Sequence, residues 1–161
     1  MKKILLTLVL AVSAIAFVNA QPRAIGGRLG YGIDFSYQHT VGANRINLEI
    51  DAPMFHGIGA ACTYDWMFPI TSWQERGSWN WFAGVGAGLG FHFGYGNGYN
   101  AMSVGVAGRI GVEYNFWFPM QLSLDWRPIV GPSFGFGHDA HTGFHYGGLY
   151  DGIALGIRYL F

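Results

Sequence analysis

Tyr150-Asp-Gly-Ile-Ala-Leu-Gly-Ile-Arg-Tyr-Leu-Phe161 is the stretch whose reading decides the fold. Every second residue back from Phe161 is apolar or aromatic: Tyr159, Ile157, Leu155 and Ile153. Between them stand Leu160, Arg158, Gly156, Ala154 and Gly152, small or charged except at the end. Strict alternation with an aromatic last residue is the pattern of a transmembrane β-strand, apolar toward lipid and polar toward a lumen. The remaining chain then reads as strands that must close against this one.

The composition supports that reading. The chain is 51% hydrophobic, 17% aromatic and only 11% charged, with 26 glycines. Glycine at that frequency disfavours helices, and no run after residue 20 is long and apolar enough for a membrane helix. A barrel with apolar side chains outward and a narrow interior tiled with glycine and a few charges accommodates all four figures.

At the N-terminus, Lys2 and Lys3 precede an apolar run from Ile4 to Val18, and Val18-Asn19-Ala20 supplies small residues at a cleavage position. Residues 1–20 therefore read as a secretory signal peptide and residues 21–161 as one barrel domain. Cleavage would remove two of the nine cationic residues, leaving seven, all arginine, against nine acidic ones. That balance excludes a nucleic-acid partner. The lone Cys62 forms no internal disulfide and reads as a small outward hydrophobe.

Taken in order, Arg23 to Gln38 reads as a hairpin turning at Tyr31-Gly32. Single-chain barrels of this kind have an even strand number, which favours a hairpin over one long strand. Ile46, Leu48 and Ile50 form the next outward row, ended by Pro53. Ile58 to Phe68 and Trp81 to Phe93 follow, the latter over an inward glycine row from Gly84 to Gly90 that leads to His92. Val104 to Phe116 and Leu122 to Trp126 are the next two strands. Pro128 then ends regular pairing or marks a bulge. Gly131 to Gly148 is expected to be the longest loop, and the closing strand comes last. The fold class is thus all-β, an eight-stranded antiparallel up-and-down transmembrane β-barrel.

In these registers Arg28, Asp34, Arg45, Glu49, Asp51, Asp65, Arg109, Glu113, Asp125, Arg127 and Arg158 all face inward. An eight-stranded barrel is just wide enough for side chains to fill, so these charges should pair across it and plug it. Trp66, Trp73, Trp79, Trp81, Trp117, Trp126, Tyr64, Tyr114 and Tyr159 fall mostly near strand ends, as interfacial girdles require.

Glu113-Tyr114-Asn-Phe116, Leu122-Ser-Leu-Asp125-Trp126-Arg127-Pro128 and Gly156-Ile-Arg158-Tyr159-Leu-Phe161 resemble the C-terminal half of short bacterial outer-membrane β-barrel proteins, broadly OmpA/OmpX-like. Gly32 to His39 and Asn80 to Gly90 are similar to that group's earlier strands. The resemblance implies the cell outer membrane, lipid and lipopolysaccharide as surroundings, and a terminal Tyr159/Phe161 signal read by the barrel-assembly machinery. It implies no catalytic residues and no cofactor.

The one chemically suggestive cluster, His138-Asp139-Ala-His141 with His145, falls in the 131–148 loop. Such residues could ligate a divalent metal, but a glycine-rich loop does not preorganise them, and no metal is expected. Ser133 with His141 and Asp139 could suggest a lipid-modifying enzyme, yet no strand fixes their geometry. His92 reads as a lumen residue, and the Gly84-Val-Gly-Ala-Gly spacing is no phosphate loop because no helix follows. The expectation is a non-enzymatic, charge-plugged barrel with a structural or surface-interaction role, any unknown partner meeting the 131–148 loop. The alternative is a narrow channel for ions or small solutes.

Overall fold

The computed structural model describes residues 22–53, 57–73, 76–94, 100–136 and 142–161. The proposed signal peptide therefore lies outside the described residues. Ten strand segments follow one another: β1 (Arg23–Leu29), β2 (Gly32–Val41), β3 (Asn44–Pro53), β4 (Gly57–Pro69), β5 (Ser78–His92), β6 (Asn100–Asn115), β7 (Met120–Trp126), β8 (Ile129–Phe136), β9 (Thr142–Gly147) and β10 (Ile153–Leu160). A single 3-10 turn, Thr71–Trp73, sits between β4 and β5.

Neighbouring strands pair antiparallel in an up-and-down path from β1 to β6, then β7, then β10, which returns to β1. The wall is a closed eight-stranded barrel. Arg23 and Phe161 seal the seam by exchanging both backbone hydrogen bonds, at 2.9 and 2.8 Å. Gly42 turns the chain from β2 into β3 with φ 63°, a conformation that costs glycine nothing.

The chain at Tyr31 is a hairpin: β1 and β2 pair from Arg23–His39 to Leu29–Ile33. The outward rows are Ile25 and Leu29 on β1, Ile33 and Phe35 on β2, Leu48 and Ile50 on β3, and so on round to Ile153, Leu155, Ile157 and Tyr159 on β10. The opposite parity is buried and polar or small. Alternation holds because a strand puts successive side chains on opposite faces, and here the hydrophobic face looks out.

The expected 131–148 loop is not a loop at its ends. Residues 129–136 and 142–147 form the β8–β9 hairpin, and only 137–141 between them lie outside the described residues. The reason is legible afterwards: Val130, Pro132, Phe134 and Phe136 alternate with Gly131, Ser133 and Gly135, and Phe144 and Tyr146 continue the pattern on β9. Pro132 and the glycines mask a strand whose outer face is aromatic.

Pro128 makes no bulge against β6. The pairs Ile110–Trp126 and Ala107–Ile129 keep one register, and Gly108 donates to the Pro128 carbonyl at 2.9 Å. β7 and β8 are thus one strand whose pairing is interrupted where proline has no N–H. The return strand differs. Trp126 faces Ile153 and Ile129 faces Gly147, so three positions on one strand oppose six on the other. The surplus is ejected as the turn Gly148–Gly152, closed by Gly152 N–H donating to the Gly148 carbonyl at 3.0 Å. Gly148 has φ 71°, and Trp126 Nε1 donates to the carbonyls of Gly148 and Leu149 at 3.0 and 3.3 Å.

Interior glycines set how closely strands and side chains approach. A Cβ at Gly86 would collide with the Cys62 carbonyl and Thr63 Cα of β4. At Gly143 on β9 there is open space. Gly86→Ala should therefore cost about 1–3 kcal/mol through overpacking, whereas Gly143→Ala should change stability by no more than about 0.5 kcal/mol. Urea unfolding midpoints of the two variants check this. Equal effects would contradict the packing described.

Candidate functional site: the charged lumen and its two mouths

The strand pattern delivers Arg28, Asp34, Arg45, Glu49, Asp51, Asp65, Arg109, Glu113, Asp125, Arg127 and Arg158 to one space. Ion pairs join all eleven into a single connected set. Glu49 is the hub: Arg127 Nη1 lies 2.7 Å from Oε2, and the guanidiniums of Arg109 and Arg158 lie 3.4 Å from Oε1. Arg28 comes within 4.0 Å of the same carboxylate.

Arg109 occupies the centre of the barrel. It bridges Asp65 at 2.8 Å, Asp125 at 3.0 Å and Glu49, and its side chain has no solvent exposure. Arg28 ties Asp125 to Asp34, at 2.7 and 2.8 Å. Nearer the rim that carries Arg23 and Phe161, Arg45 pairs with Glu113 and lies 3.5 Å from Asp65. Arg158 reaches Ser36 and Ser123 at 2.8 and 2.7 Å, so neutral hydroxyls share its donors. Taking these charges from water costs several kcal/mol per ion, and only pairing of this completeness offsets it.

Phe82, absent from the charge pattern in the sequence, is the apolar centre of the lumen. It is fully buried, with the guanidiniums of Arg45 and Arg109 each 4.9 Å from its ring centroid. Its parity, shared with Gly84, Gly86, Gly88 and Gly90, was the available signal. Glycines facing the lumen are gaps filled by neighbours: the Asp65 carboxylate at Gly84, the Ile129 side chain at Gly88 and the Ser123 hydroxyl with the Arg158 guanidinium at Gly156.

A cavity lies on each side of this packed layer, and no residue lines both. The far mouth, about 180 Å³, has Arg28, Arg127, Asp34 and Asp51 at its floor and His92 and His145 higher up. The terminal mouth, about 330 Å³, is lined by Gln38, Thr40, Asn80, Asn115 and Gln121 with Arg23 and Arg45.

Of the histidine cluster, only His145 is among the described residues; His138, Asp139 and His141 lie outside them. His145 stands on β9 with its ring 5.2 Å from His92. Among the described residues no group of three or more His, Cys, Asp or Glu is arranged to hold a metal. Ser133 is on strand β8, opposite Ser103 and Gly143, not in a loop. Cys62 is exposed on the outer surface of β4.

Aromatic rings ring the terminal rim. Phe68 stacks on Trp81 at 4.2 Å, Trp79 lies 4.8 Å from Tyr114, and Phe116 contacts both Trp117 and Phe118. Trp66, Trp73 and Tyr159 belong to the same rim, whereas Trp126 sits apart, beneath the Gly148–Gly152 turn.

Comparison with known proteins returned nothing: no family model, curated protein or solved structure matches the chain.

Removing Arg109 would leave Glu49, Asp65 and Asp125 buried with their shared cation gone. Arg109→Ala should destabilise by about 3–5 kcal/mol. Arg76→Ala should cost about 1 kcal/mol or less, because it removes one exposed cation–π contact with Trp117 at 5.8 Å. Chemical unfolding checks both, and a smaller loss at Arg109 would contradict its central place.

Proposed function

We propose that this protein is an integral β-barrel of a bacterial outer membrane whose lumen is filled by its own ion pairs. Its role would be structural or surface-interacting, not that of an open porin. The observation that carries the proposal is the inversion of polarity on a closed barrel. Ile33, Phe35, Leu48, Val106, Leu124 and Ile157 are among many large apolar side chains exposed on the outside, while the charges lie within. A water-soluble protein rarely exposes contiguous apolar surface of this extent. A bilayer removes the penalty, and a closed barrel leaves no backbone edge in lipid.

Dimensions agree. β2 and β3 have 10 residues each, within the roughly 9–11 that a tilted strand needs to cross. β5 and β6, at 15 and 16 residues, would extend past the bilayer on the far side. There the β8–β9 hairpin would stand among lipopolysaccharide headgroups or meet a surface partner. The aromatic terminal rim fits the opposite interface, where Trp and Tyr concentrate. The resemblance of the last strands to outer-membrane barrels points the same way, and it makes Tyr159 and Phe161 the assembly signal. Five arginines against six carboxylates in the lumen support a plug over a water-filled path.

Cys62 is a native probe, the one cysteine in the chain. In lipid vesicles a water-soluble maleimide should fail to modify it until the protein is unfolded. A cysteine placed at Gly42, on the β2–β3 turn, in a Cys62→Ala background should react freely. Equal labelling of both positions in vesicles would overturn the membrane placement. In the same frame Val106→Arg should cost about 2–4 kcal/mol in a bilayer if it sits near the midplane, read as a lower unfolding midpoint in vesicles.

A further inference from the structure

We infer that His92 and His145 form a pH-sensitive latch over the far mouth of the lumen, closed while both rings are neutral and released when both carry a proton. His92 ends β5, His145 stands on β9, and both side chains line the far cavity. β6 and β8 separate those two strands in the sheet. The contact between the rings, 5.2 Å from centre to centre, therefore reaches across the lumen and not along the wall. Neither ring makes a hydrogen bond or an ion pair among the described residues. What meets over the cavity is two uncharged rings, and charging both turns their contact into a repulsion.

The second observation is how lightly the His145 side is held. β9 pairs with β8 alone among the described residues, and it runs into the Gly148–Gly152 turn, where Gly148 has φ 71°. The His145 ring lies over Gly147, where a Cβ would collide with its Nε2. It rests on bare backbone and can swing away without displacing a side chain. The charged groups that share the cavity are Arg28 on β1, Asp34 on β2, Asp51 on β3, Arg127 at the β7–β8 junction and Asp151 in the turn; its lining residues on β4, β6, β8 and β10 bring none. Arg28 and Arg127 are paired with Asp34 and Asp51, which leaves Asp151 to face an imidazolium. One carboxylate answers one such charge and not two. Burial and the neighbouring His92 hold the His145 imidazole below its usual range, against the pull of Asp151. Closed rings thus resist protons that separated rings take up, so acid shifts the population toward the open mouth. Imidazole is the side chain whose ordinary range puts this change between about pH 5 and 8.

The latch does not depend on the membrane placement. Its test is hydroxyl-radical footprinting of the purified, folded protein at about pH 7.5 and about pH 5, toward the two ends of the imidazole range. The reporter is Ile129, whose side chain points into the lumen over Gly88 and lines the same cavity, normalised to the exposed Tyr150. Its oxidation should rise severalfold at the lower pH. In His145→Gln no pair of charges can form, and the normalised oxidation should be the same at both pH values. His92→Gln should behave alike and serves if His145→Gln does not fold. NMR titration of the imidazoles gives a second reading, in which His92→Gln should raise the pKa of His145 toward its usual range. No rise at Ile129, a rise that persists in a folded variant, or an unmoved His145 would overturn the inference.

Discussion

Everything in this structure depends on the pairing of eleven charges inside a barrel too narrow to hydrate them. Five arginines cannot be buried singly. Four are held by two or more carboxylates from different strands and Arg158 by Glu49 with two serine hydroxyls, while Glu49 on β3 holds arginines from β6, β10 and the β7–β8 junction. The same requirement explains the glycines. Asp65, Arg158 and Ile129 fit because the facing wall positions carry no side chain. With polar groups confined to the lumen, the outside is free to be apolar, and the proposed home in a bilayer follows from that division.

The network also gives the barrel a direction. Carboxylates outnumber arginines toward the far mouth, whereas the terminal mouth is lined mainly by uncharged amides with Arg23 and Arg45. Between them Arg109, Glu49, Asp65 and Phe82 form a layer without solvent contact. The wall is equally asymmetric: the terminal rim is short-turned and rich in Trp, whereas the opposite side carries the β8–β9 hairpin. β9 pairs with β8 alone among the described residues, so this hairpin extends past the closed eight-stranded wall.

Much of this was legible in the chain because a two-residue period is hard to disguise. Ile153 to Phe161 announced its two faces, and the apolar rows set the registers of the earlier strands, with the charges then falling on the inner side; only the stretch from Arg23 to Gln38 left open a choice between one strand and a hairpin. Two things were hidden. Between Gly131 and Gly148 the alternation is carried by Pro132 and glycines as well as aromatics, which is also how a loop looks. The turn at Gly148–Gly152 breaks the parity between β9 and β10, so reading backward from Phe161 could not reach His145. Phe82 was hidden for another reason: an aromatic in a strand of this kind is assigned to the outer face by its chemistry, and only its parity with the glycine row contradicts that. Which arginine meets which carboxylate depends on cross-barrel geometry that no linear pattern contains.

Single-channel recording of the purified protein in a planar bilayer tests the central claim most directly, since a lumen closed by ion pairs and one that carries solute differ in conductance. With insertion shown by a heat-dependent shift in gel migration, the account predicts no steady conductance steps. Stable, reproducible steps that change size in Arg109→Ala would contradict it and show a continuous water path through the charged layer.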